Sequence, residues 1–245
     1  MKPITKKQLL NLDEMTTYFT ELGRLLDVAD IVLYDDSTKA ASVSILIQNV
    51  IAVNRCFIKS LPLKESLLNK ALLRLQIQNL IFLYAETKYP LKVVNPIFRK
   101  GKAFNQLGLP SLSSFITELE SEYKGLKDLW NECCSFVHPS DNSLKLASAE
   151  HSLRLLSGID ESKQKPDILE TLQAYVFLTT EALNKEAETD SKNMFHLNLL
   201  LIKIAKKQIA LQKAKVWVNA KSRGFYKKVL ADKVRMINFE LPKEK

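Results

Sequence analysis

The sequence predicts an all-α fold, a bundle of about seven helices that ends in a long basic C-terminal helix. Three observations predict it. Six glycines in 245 residues are few, since average usage near 7% would supply about 17, and a chain short of tight-turn residues is poorly suited to many strands. Apolar residues recur at steps of three and four over long stretches, the helical period. The breaks between those stretches carry Pro, Gly or clusters of Ser and Asp, the residues that stop and cap helices.

The elements follow in order. Ile4 to about Leu33 reads as the first helix, with Leu12, Met15, Phe19 and Leu22 on one face. Asp35 to Ser37 form a turn and N-cap before a second helix, Thr38 to Lys59, which ends ahead of Leu61-Pro62. Leu63 to Lys88 is the third. It is apolar almost all the way round, the mark of a central helix, and would place Arg74, Gln76, Gln78 and Asn79 in or near the core. Pro96 to Gln106 is a short basic element closed by Gly108 and Pro110.

Ser111, Ser113 and Ser114 can cap a long fourth helix that runs to His138, with Gly125 inside it marking a bend or a close approach. Pro139 stops this helix, because it lacks an N–H and pushes its predecessor out of helical geometry. A further helix starts near Leu144 and ends at Gly158. Pro166 opens the next, to Glu188, where the polar run ETDSKN reads as a break. Met194 to Gly224 closes the bundle, continued by Phe225 to Met236. Residues 1–190 thus form a bundle, and residues 191–245 a basic helical segment packed on it.

The net charge of +9 sits almost wholly in that segment. Between Leu199 and Arg235 eleven Lys or Arg stand against the single acid Asp232. A 100° step puts Lys203, Lys206, Lys207, Lys213 and Lys221 in one sector with Trp217, while Ile202, Ile204, Ala205, Ile209, Leu211, Val216 and Val218 occupy most of the remainder. Such a stripe suits a phosphate backbone, with Trp217 stacking on an exposed base; it equally suits a solvated face that keeps the protein soluble. No apolar run approaches the roughly 20 residues that span a bilayer, and the N-terminus lacks a secretory pattern. Three cysteines, two of them adjacent, make no disulfide framework, so a cytoplasmic, reducing location with no membrane is expected.

Potentially reactive side chains crowd in one stretch, Leu129 to Asp141, LWNECCSFVHPSD. His138 terminates a helix, where the negative end of the dipole favours a protonated imidazole, and Asn131, Cys134 and Ser135 share its face. A thiolate of Cys134 paired with His138 is one chemistry that spacing allows. A metal is less well served, because Cys133 and Cys134 diverge by about 100° and the C-x2-C spacing is absent. No cofactor is called for. Arg74 reads either as a structural arginine or as a member of a polar site with His138.

The order of a central LLRLQIQNLIFLYAE helix and a later helix ending in FVHPS resembles an all-helical family of bacterial proteins with a histidine-proline-serine signature. That family is similar to the HEPN superfamily of helical ribonucleases, toxins and nucleotide-binding modules. The likeness covers roughly Ser37 to Ser157. It implies an RNA-binding protein, a metal-independent ribonuclease, a toxin or a defence component, commonly dimeric. Metal-free cleavage needs a base, an acid and a positive charge for the phosphate. By the resemblance His138 is the catalytic histidine. Where the family places an arginine shortly before it, this chain has Asn131, Glu132 and Cys133, so Arg74 would supply the charge. The catalytic candidates are therefore His138, Arg74 and Asn131. The alternative function is a non-catalytic helical interaction scaffold that works as a homodimer.

Overall fold

In the computed structural model the described residues are 11–23, 42–63, 65–89, 93, 104–138, 140–160 and 163–219, with side chains described up to Lys207. They fold into seven α-helices with no strand among them. Residues 11–23 form α1. It is followed by α2 (Ser42–Ser60), α3 (Ser66–Lys88), α4 (Leu112–Leu119), α5 (Leu126–Val137), α6 (Asp141–Leu156) and α7 (Pro166–Asn219). None of the described helices is long and apolar enough to cross a membrane.

The central position expected for the third helix is observed. α3 packs against α2, α5 and α7, and Leu73, Ile77, Leu80, Ile81 and Leu83 on it are fully buried. Six polar side chains go in with them: Ser66, Asn69, Lys70, Gln76, Asn79 and Glu86. Gln76 Nε2 donates to Asn54 Oδ1 on α2 at 3.1 Å and to Asn198 Oδ1 on α7 at 2.7 Å. Asn79 Nδ2 donates back to Gln76 Oε1 at 3.1 Å. Buried amides cost free energy unless paired, so this network fixes the register of three helices rather than merely adding cohesion.

Two interior breaks differ from the sequence expectation. The fourth helix does not run unbroken to His138: it ends at Leu119, and α5 begins after Gly125, whose φ of +91° only glycine adopts without strain. A Cβ at Gly125 would meet nothing within 4 Å, so close packing is not the reason for glycine there. Glu120 caps the new start, accepting from Gly125 N at 2.6 Å and Lys127 N at 2.9 Å. These backbone donors hold its carboxyl below the usual range.

The second difference is larger. ETDSKN is no break, because α7 is a continuous helix of 54 residues that passes through it and through the 190/191 boundary. Asp190, at 0% exposure, and Ser191, at 2%, point into the core. Asp190 pairs there with Lys70, and the polar run does not stop the helix.

Candidate functional site: a buried lysine among carboxylates

Lys70 falls on the inner face of α3 because it shares that face with Ser66, Leu73 and Ile77 at spacings of three, four and seven. A buried ammonium needs partners, and three carboxylates converge on it from two other helices. Nζ lies 2.6 Å from Glu132 Oε1 on α5, and 2.5 Å from Glu186 Oε1 and 2.8 Å from Asp190 Oδ1 on α7. The ring of Phe136 closes the other side, 5.3 Å from the ammonium. Lys70 and Asp190 are fully buried, whereas Glu132 is 45% and Glu186 32% exposed, so the cluster reaches solvent along one edge.

Burial alone would lower the proton affinity of Lys70, but the charge of Asp190 and the three carboxylate contacts outweigh it and hold the ammonium protonated far above neutrality. Asp190 moves the opposite way to an ordinary paired carboxylate. Desolvation, reinforced by the charges of Glu186 and Glu132, exceeds the pull of Lys70 and pushes it up to about 7. Cys133, buried beside the cluster, is pushed up to about 12 by desolvation and stays a thiol. With every Lys70 contact made to a carboxylate or an aromatic face, this cation is saturated and offers no positive charge to a phosphate.

The residues singled out from sequence lie around this centre without meeting in it. α5 stops at Val137 and His138 is its C-cap, as Pro139 requires; its backbone N donates to Cys134 O at 3.1 Å. His138 and Asn131 are both exposed. Arg74 stacks on Trp130, 5.4 Å from its ring centroid, and its buried Nε has no hydrogen-bond partner. Trp130 precedes His138 by eight residues, roughly 12 Å of helix axis. Among the described residues no hydrogen bond or ion pair joins Arg74, Asn131 and His138. The α3 cation nearer the His138 end of α5 is Lys70, which faces Glu132 and Phe136.

Short local bonds fix the turn after His138. Ser140 is the N-cap of α6 in a capping box with Ser143, and its hydroxyl donates to the Ser135 carbonyl of α5. The helix therefore begins at Asp141, one turn earlier than Leu144. From α6, Glu150 Oε1 accepts from Ser66 N at 2.8 Å and caps α3 in place of a local side chain. Burial raises the proton affinity of Glu150, against the backbone donors that lower it.

The basic edge of α7 is partly described. Ile202, Ile204 and Ala205 are buried while Lys203, Lys206 and Lys207 are exposed, the division that the 100° step predicts. Lys203 pairs with Glu122, and Lys206 sits 5.7 Å from the ring centroid of Tyr18. The side chains of Lys213 and Trp217, and the whole of Lys221, lie outside the described residues.

Sequence reasoning passed over Lys70, Glu186 and Asp190. A signal existed, since Lys70 falls in step with the buried apolar positions of α3 as Arg74 does, but its partners are 62 or more residues away in the chain. Fold and site together define an all-helical bundle built around a central helix with a buried ionic cluster. No family model, no curated protein and no solved structure matches the chain. Among the described residues, no group of His, Cys, Asp and Glu is arranged to hold a metal ion.

Proposed function

We propose that this is a HEPN-like helical protein that binds RNA along the basic edge of α7 without cleaving it. The observation that carries the reading is the segregation on α7: Lys203, Lys206 and Lys207 face solvent while the residues between them are buried, at the start of a segment with eleven Lys or Arg and one acid. Cations held in a row on a rigid helix meet a phosphate chain at low entropic cost. Geometry also opposes cleavage. Arg74 is engaged with Trp130, Lys70 is neutralised by carboxylates, and the half-exposed Glu132 places negative charge on the same helix as His138.

The test is filter binding of a mixed-sequence single-stranded RNA at several salt concentrations, beside a metal-free cleavage assay. If about five phosphates are neutralised, log affinity falls with log salt at a slope of roughly −3.5. Lys206→Glu/Lys207→Glu/Lys213→Glu abolishes binding while leaving the far-UV circular dichroism unchanged. Binding that survives this triple change would refute the reading, and cleavage lost in His138→Ala would restore the ribonuclease.

A further inference from the structure

The basic edge of α7 faces one acid that α7 does not supply. No Asp or Glu occurs between Asp190 and Asp232, so an acid that meets Lys203, Lys206 or Lys207 has to come from another element. Among the described residues one does so by an ion pair: Glu122, in the turn between α4 and α5, pairs with Lys203. The other acids of that segment are engaged elsewhere, Glu118 with Lys88 and Glu120 with the backbone N–H groups of Gly125 and Lys127. α1 brings the ring of Tyr18 to Lys206, and its acids one turn to either side, Glu14 and Glu21, form no ion pair with Lys203, Lys206 or Lys207.

The turn is fastened to α7, which fixes where Glu122 sits. Tyr123 Oη donates to Asn193 Oδ1 at 3.3 Å, and the Tyr123 ring lies 6.1 Å from that of His196. The backbone N–H groups of Glu122 and Tyr123 both donate to Leu119 O at 2.9 Å. An acid held this way forms its pair without ordering a loop. Lys203, and with it the charge of Lys207, holds the Glu122 carboxyl below the usual carboxylate range, so it is ionised at neutral pH. Both partners stay open to solvent, Lys203 at 54% and Glu122 at 40% exposure. A phosphate can therefore reach this ammonium, but only in exchange for the carboxylate.

We infer that, on the RNA-binding edge proposed above, Glu122 is the guard of Lys203: it occupies this cation until a phosphate chain seated on Lys206 and Lys207 displaces it. An exposed pair is weak enough to be exchanged. Each exchange frees a carboxylate for the phosphate gained, so the guarded Lys203 adds little to the counterions released on binding. Without the guard it would count as a full contact.

The experiment titrates a labelled, mixed-sequence single-stranded RNA with the full chain at several salt concentrations. Glu122→Gln is expected to bind about fivefold more tightly than wild type, with a salt slope steeper by about 0.7, the increment of one more phosphate on a single strand. Adding Lys203→Gln to that variant brings affinity back to within about twofold of wild type, and the slope with it, because a neutral pair has been exchanged for two neutral side chains. Asp160→Asn makes the same change of net charge beside Lys163, before the start of α7 and about 55 Å of helix axis from Lys203. Screening at that separation leaves its affinity and slope those of wild type. A wild-type chain that binds while Glu122→Gln binds no more tightly than Asp160→Asn overturns the guard and leaves the RNA-binding edge intact. Failure of wild type and Glu122→Gln alike to bind overturns both.

Discussion

Lys70 ties α3 to α5 and α7 through one ionic cluster. Removing the ammonium while keeping its neighbours strands carboxylates in a buried site, so Lys70→Met is expected to lower unfolding stability by about 3–5 kcal/mol. Lys70→Met/Asp190→Leu recovers most of that loss, since a buried ion cluster replaced on both sides by apolar groups is close to neutral. Urea titrations of the two variants check this; a double variant no better than the single one would mean that the cluster is worth more than its geometry implies. Asp190 adds a pH dependence with a definite sign. Its folded pKa, about 7, lies above the ordinary 3.8, so the native state holds a proton that the unfolded chain releases. Stability at this site is fully present below about pH 4, falls as pH rises towards 7, and is level above. Asp190→Asn is expected to flatten that stretch of the stability profile, and an unchanged slope between pH 5 and 7 would rule Asp190 out as its source.

At the scale of elements, the breaks carry the information. Gly125 is required for its positive φ and not for space, so Gly125→Ala is expected to cost about 1 kcal/mol through backbone strain alone. Glu150→Ala removes the cap of α3 from another helix, with a loss of about 1 kcal/mol that thermal unfolding would detect. Helix ends of this kind were unevenly legible in the sequence. The stop at His138 and the start at Pro166 are dictated by proline's missing N–H, a local cause, and the structure has both. The interruption between Leu119 and Gly125 was legible only as a bend at Gly125, because the rest of ESEYKG is compatible with helix. ETDSKN misleads for the opposite reason. A polar run reads as surface, but Asp190 faces Lys70 across the core, and a pairing between residues 120 positions apart leaves no local trace. The candidate site suffered the same way: Arg74 stood out by its apolar surroundings, while Lys70, equally surrounded, was the cation that the fold enclosed.

The whole molecule is two mechanical parts on one continuous rod. In the half of α7 from Leu183 to Ala205, Met194, Leu197 and Leu201 are buried and Asn198 accepts from Gln76 of α3, whereas no residue from Pro166 to Ala182 is buried. Local opening free energy follows buried apolar contact, so the two halves of a single helix should differ in amide protection. Hydrogen exchange followed by mass spectrometry at about 1 μM is expected to show peptides from 168–182 exchanging at least about tenfold faster than those from 190–205. Equal protection at low concentration would mean that α7 opens as one cooperative unit. Leu178→Asp, although it changes an exposed residue, would then be felt in the stability of the core.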